Sequence, residues 1–490
     1  MDDKLCLTKS LEKNINVINS IFSNDSTLKL RRLENTTPSL LKACLFYIDG
    51  MVNNRFVSEN IVAPFLRGHF NLTNFSNDLF EILKTQVIFS NDLEECTDLN
   101  SIISAILYGN TVLILDGYAK VLIISSKGWM EREIKEPTSD KILRGPKEGF
   151  NEHLLTNLSL IRRKIKQPNL KFHFRDIGKY TNTKICVCYI QGVAEENILK
   201  DLFKRLDNIS LNSLLESEYI QEILDDAPLS PFETIYSTEK PDIVAGKLLE
   251  GRIAIIVDGT PFVLTLPFLF MEYFQNGEDY YTNYFFASIN RLLRILGFLL
   301  STSIPAIYIA LVTYNQELIP TPLLMSISAA RQSIPLPTIA ETLIMLIVFE
   351  MLREAGTRIP SNMGQAISIV GALVLGQAAV EAKIISAPIV IIVGLTGIVG
   401  LINIKIKAAS ITLRFIYVFL ASFLGLHGYY IGFIGTLLYL MSLNSFGVPY
   451  MLNAGSIEAE HLKDSFIRTS WWYLHLEHFI ISSKNKVKRK

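Results

Sequence analysis

Residues 289–313 read INRLLRILGFLLSTSIPAIYIALVT, a run longer than the roughly 20 residues that a helix needs to cross the hydrocarbon core of a bilayer. Further apolar runs follow at 367–382, 384–404 and 411–443. An amphipathic core helix of a soluble protein keeps a polar face for water, and these runs keep almost none. Residues 289–445 therefore read as a helical membrane domain. Everything before them reads as a water-soluble α/β half. The mean hydropathy is +0.29 over 490 residues even with that polar first half included.

Six spans can be drawn, at 289–313, 336–354, 364–382, 384–404, 411–426 and 429–443. Several are short, so four to six crossings are expected, with re-entrant or paired half-helices making up the difference. With six spans, Arg291 and Arg294, Arg353 and Arg358, Lys405, Lys407 and Arg414, and the basic tail at 484–490 all fall on one side. The excess of Lys and Arg on cytoplasmic loops makes that side the cytoplasm, with both termini there. Lys383 is the exception, at an outer turn.

Charge inside apolar sequence is costly unless paired or hydrated, which singles out Glu341, Glu350, Arg353 and Glu354 in the second span. On a straight helix Glu350 and Glu354 share a face with Arg353 within reach, the pattern of a structural ion-pair cluster. Glu341 is nine residues earlier and points the opposite way. It is a candidate for a hydrated pathway or gate, together with Gln365 and Gln377 in the third span. Gly364, Ser368, Ala372 and Gly376 recur every fourth residue there, a small-residue stripe that lets helices approach closely in lipid. Gly394, Gly397 and Gly400 repeat the idea in the fourth span.

The soluble half matches itself at an offset of 142 residues: YIDG from Tyr47 lies on YIQG from Tyr189, and LYGNTVLILDGYAKVLIIS from Leu107 on LEGRIAIIVDGTPFVLTLP from Leu249. Each second segment reads as a hairpin, with Asp116-Gly117 and Asp258-Gly259 at turns that tolerate positive φ. Two related α/β subdomains are thus expected, at 1–140 and 141–288, joined by a linker near 136–157. A C-terminal segment, 446–490, follows the membrane domain and carries the basic tail.

Lys and Arg balance Asp and Glu, 47 against 47, so nothing points to nucleic acid. The five cysteines all lie in the soluble half without a CxxC pair; Cys186 and Cys188 share a strand face and read as buried thiols of a reducing compartment. The first residues lack the pattern of a signal peptide. No glycine-rich phosphate loop, HExxH or GxSxG is present. His475, Glu477 and His478 do not follow a zinc spacing and read, with Trp471 and Trp472, as an interfacial helix. No enzyme activity, metal or cofactor is expected.

Several long segments together resemble one family, the A subunits of GerA-type spore germination receptors and their SpoVAF-like relatives. They are YIDGMV at Tyr47, RGPKEGFNE at Arg144, VDGTPFVLTLP at Val257, FQNGEDYY at Phe274, ETLIMLIVFEMLREAGTRIP at Glu341, GQAISIVGALVLGQAAVEA at Gly364 and FGVPY at Phe446. Lys383, where a small residue is usual, and residues 453–460 depart from the family pattern. The resemblance implies a multi-pass protein of the inner spore membrane, working with a transporter-like B subunit and a lipoprotein C subunit to sense nutrients. It further implies a homo-oligomeric ring through which monovalent cations leave. A SpoVAF-like accessory channel subunit, a non-conducting scaffold and a secondary transporter are the alternatives.

Overall fold

The computed structural model describes residues 7–35, 41–68, 79–90, 92–128, 144–358, 374, 376–455 and 464–470. Its first half holds two five-stranded antiparallel sheets of identical strand order. The first runs β1 (Leu28–Asn35), β2 (Leu41–Ile48), β4 (Thr111–Leu115), β5 (Val121–Ile124), β3 (Leu93–Cys96). The second runs β6 (Leu170–Ile177), β7 (Thr183–Ile190), β9 (Ile253–Val257), β10 (Val263–Leu266), β8 (Tyr236–Thr238). Leu28 pairs with Ile48 in the first and Leu170 with Ile190 in the second, so the 142-residue offset extends to the register.

Continuous apolar strands are explained by cover on both faces. In β4, Leu113 and Leu115 enter one core while Val112 and Ile114 enter another; in β9, Ile255 and Val257 alternate in the same way with Ala254 and Ile256. In the first unit α1 (Leu11–Ile21) and α2 (Leu99–Leu107) cover one face while Val57, Ile61, Phe65, Phe80 and Leu83 cover the other; in the second, α3 (Leu154–Lys164) and α6 (Pro241–Leu249) cover one face and α4 (Glu196–Asp207) and α5 (Ser217–Leu224) the other. The two Asp-Gly pairs hold the first helix of each unit as well as turning the chain. The Asp116 carboxylate accepts from Leu11 N at 3.1 Å and Asp258 from Leu154 N at 3.0 Å, while Gly117 and Gly259 take φ of 87° and 95°. The later part of the expected linker, from residue 154, is therefore ordered helix.

Among the described residues, the second half contains α7 (Tyr284–Thr313), α8 (Thr321–Arg331), α9 (Thr338–Arg358), α10 (Ala387–Gly400) and α11 (Lys407–Ser442). Among the described residues, α7 and α11 are long and apolar enough to cross a membrane. At about 45 Å, α7 exceeds a bilayer core, whereas α10, at about 21 Å, is shorter than the fourth span drawn from sequence. Exposed Leu296, Ile398, Phe419 and Ile434 give these helices an apolar surface of the kind that water-soluble proteins keep small.

Within α11, Gly425 takes φ 59° and ψ −140° and reverses the chain. Tyr417 and Thr436 would be about 28 Å apart along a straight helix, yet their hydroxyls meet at 2.8 Å. The element is two arms side by side, divided where the fifth and sixth spans part in the sequence. After the second arm the chain returns to the second sheet unit. Ser445 Oγ donates to Thr234 O at 2.6 Å, and Phe446 joins the core beneath β9 and β10. Both ends of the helical half are thus fixed to the same soluble unit.

Candidate functional site

Glu341 is fully buried in the first turn of α9. Its Oε2 accepts from Ser386 N at 2.9 Å, and Ser386 is the N-cap of α10. The carboxylate therefore sits where the positive ends of two helix dipoles converge, which favours a buried negative charge. Arg331, the last residue of α8, brings Nε to 3.8 Å from Oε1, and Tyr308 of α7 lies beside the same group. Among the described residues, Oε1 has no hydrogen-bond partner. A buried carboxylate with one oxygen hydrogen-bonded and the other held only by an ion pair at 3.8 Å keeps acceptor capacity for a further donor or a small cation. Among the described residues no three His, Cys, Asp or Glu side chains come together as a metal site.

A second polar group lies nearer the soluble half. Glu350 Oε1 pairs with Arg414 of α11 at 2.9 Å, and its Oε2 pairs with Arg353 one turn on. Glu354 is exposed. Arg414 has a further role that follows from Pro305 in α7. A proline has no N–H to bond the carbonyl four residues back, and Arg414 Nε donates to that carbonyl, Ser301 O, at 2.8 Å. One guanidinium so ties α7, α9 and α11 together.

Gln365, Gly364, Ser368 and Ala372 lie outside the described residues. Gly376 is buried, and a Cβ there would come within 3.1 Å of Val390, so the close approach to α10 needs a small residue. Gln377 is exposed and stands apart from the Glu341 group. Gly397 is closer still to α9, because a Cβ would run into the Phe349 ring at 2.1 Å.

Sequence reasoning missed three partners. Arg331 ends a helix without a clear apolar period and Ser386 lies in a turn, and only the fold brings them to Glu341. Arg414 counted toward orientation, although a proline in an apolar run signals an orphan carbonyl that some donor must meet. Arg291 and Arg294 also counted toward orientation, and both are buried at the junction of the halves. Arg294 grips Asp279 through two bonds of 2.8 and 2.6 Å, and Arg291 reaches Asp464 at 3.1 Å.

The sequence pattern of the Bacillus/Clostridium GerA spore germination protein family matches residues 16–478. The chain is 40% identical over 486 residues to spore germination protein KA of Bacillus subtilis (strain 168), a match covering 99% of this chain and 89% of that protein. It is 42% identical over 432 residues to the uncharacterized membrane protein YfkQ of the same organism, covering 87% and 83%. Among solved structures, the N-terminal domain of the A subunit of the Bacillus megaterium spore germinant receptor GerK3 aligns at 34% identity with a TM-score of 0.44, over 55% of this chain and 98% of that one.

Proposed function

The chain belongs to the Bacillus/Clostridium GerA spore germination protein family, and from that premise we propose that it is the A subunit of a nutrient germinant receptor. In this reading it is a multi-pass protein of the inner spore membrane that assembles into a ring. Its partners are a transporter-like B subunit and a lipoprotein C subunit, and it couples their nutrient signal to release of monovalent cations. The observation that carries the reading is Glu341, a fully buried carboxylate amid apolar helices, one oxygen of which has no hydrogen-bond partner among the described residues and only Arg331 at 3.8 Å. Intramembrane ionisable groups face pathways or polar partners because lipid does not solvate them. Gln377, exposed on a single chain, is available to line a passage between copies.

Potassium release from nutrient-triggered spores carrying Glu341→Gln tests this, with protein abundance checked by immunoblot. Slower or altered release at normal abundance is the expected result. A second reading, a non-conducting scaffold, is favoured by the contacts Glu341 does make. Bridging two helix N-termini beside Arg331 is also what a purely structural cap would do, and unchanged release would decide for it.

A further inference from the structure

The most exposed large apolar side chain among the described residues is Leu229, at 100%. Single exposed leucines are ordinary on a soluble surface, so its setting decides what it means. It is at the tip of a β-turn, Ala227-Pro228-Leu229-Ser230, closed by Ser230 N donating to Ala227 O at 2.8 Å, with proline at the second position that such turns favour. Both feet of the turn stand on the core that the second sheet unit shares with the helical half. Phe232 is buried in that core and Ala227 packs against it, and the Phe232 ring lies 6.5 Å from that of Tyr439 in the last turn of α11. Leu438 and Met441, in the same stretch of α11, are exposed, so the turn adjoins an apolar flank of the helical half.

The segment is also short of free backbone donors. Pro228 and Pro231 have no N–H. Ala227 N donates to Asp225 Oδ1 at 2.9 Å, Ser230 N is held within the turn, and Phe232 N donates to Ser230 Oγ at 3.1 Å. Among the described residues, only Leu229 N of this segment lacks a partner. Backbone donors that are met internally are what apolar surroundings demand of a chain. The neighbouring carboxylates are tied back to the soluble unit: Asp225 accepts from Thr234 Oγ1 at 2.6 Å, and Asp226 pairs with Arg205 at 2.6 Å. Together with Glu233 they make the flank acidic, which suits uncharged lipid better than an anionic surface.

We propose that this turn dips Leu229 into the headgroup–acyl boundary of the leaflet on the side of the soluble half, a lipid anchor that seats the second sheet unit against the membrane. The inference rests on the reading of the helical half as membrane-embedded and adds a lipid contact to the soluble half. At that depth, roughly 5–10 Å, water still reaches the carbonyls of the turn. Exposure alone does not place a residue there. Leu215 is 65% exposed on the same unit, but it precedes Glu216, whose carboxylate bonds Thr260 at the β9–β10 turn. The opposite end of β10 leads to Phe268, which bonds Ser445 just after α11, so Leu215 belongs to the end of the unit far from the helical half.

The test is bimane fluorescence of the full chain in phosphatidylcholine nanodiscs, in a Cys6→Ser, Cys96→Ser background that keeps the buried Cys44, Cys186 and Cys188. Labelled Leu229→Cys should lose about twofold or more of its emission when the acyl chains are brominated near their headgroup end, whereas labelled Leu215→Cys should keep its emission. Phe419→Cys, exposed on α11, reports the helical half separately and should be quenched. Quenching at Phe419 but not at Leu229 would overturn the proposal and leave the membrane reading standing. A Leu229 signal that is blue-shifted yet unquenched would overturn it in favour of cover by a second copy or another protein. Equal quenching at Leu229 and Leu215 would overturn it as a site-specific anchor, and no quenching at Phe419 would overturn the proposal and the membrane reading together.

Discussion

Arg162 and Asp25 join the two sheet units through a bond of 2.6 Å with both side chains fully buried. The guanidinium also donates to Leu170 O at 3.2 Å and lies over the Phe172 ring, so its remaining donors are largely met inside the unit that carries it. Removing the partner leaves the charge buried and uncompensated. Asp25→Ala should cost about 3–5 kcal/mol, measured by denaturant unfolding of the purified chain. His173 on β6 makes a pH-dependent contribution of opposite character. Burial first, then the charge of Arg175, holds its imidazole below the usual value. As pH falls past about 6.5 the unfolded chain takes up the proton before the folded one does. Stability from this group is therefore intact above that pH and lost as pH falls through the folded-state value. The drop in Tm between pH 7.5 and about 5 should be smaller in His173→Phe, a shape-compatible change beside Phe203.

At the scale of the element, the helical hairpin depends on Gly425. Its φ of 59° with ψ of −140° is open essentially to glycine alone, with strain of about 1–3 kcal/mol for other residues, and a Cβ would come within 2.9 Å of Tyr314. Gly425→Ala should lower Tm and membrane abundance, whereas Gly435→Ala on the same helix, where a Cβ meets nothing within 4 Å, should not. Such breaks are legible in sequence because GLHGYY interrupts an otherwise continuous apolar run. The paired strands were legible for a related reason, since a repeated β-branched run with Asp-Gly at a fixed offset specifies a duplicated hairpin. Helix α8 was not legible. Its residues, TPLLMSISAAR, carry neither an apolar span nor a clear amphipathic period, and its position is set by contacts such as Arg331 with Glu341 that only tertiary structure supplies.

At the scale of the whole molecule, what the sequence could not disclose is how the halves meet. Arg291 and Arg294 look like flanking charges because charge patterning alone does not reveal a partner. Arg294 pairs with Asp279 just upstream, which also stands near Arg291, but the second partner of Arg291, Asp464, adjoins it only after the chain has passed through the helical half and returned. That return constrains topology. The chain leaves the second sheet unit at Tyr284 and regains it at Ser445, where Phe268 N donates to Ser445 Oγ at 3.0 Å. On the proposed multi-pass reading, a chain that starts and finishes on one soluble unit crosses the bilayer an even number of times, however many of the short helices are re-entrant. Thirty residues of α7 lead directly from that unit to Glu317, which the proposed reading puts on the opposite face. Single-cysteine variants read this with a membrane-impermeant maleimide on intact protoplasts. Glu317→Cys should label from outside, whereas Tyr180→Cys on the soluble half and Asn444→Cys at the end of α11 should label only after lysis. Labelling of Asn444→Cys together with Glu317→Cys would mean an odd number of crossings, which is incompatible with the Ser445 contact, and would refute the arrangement.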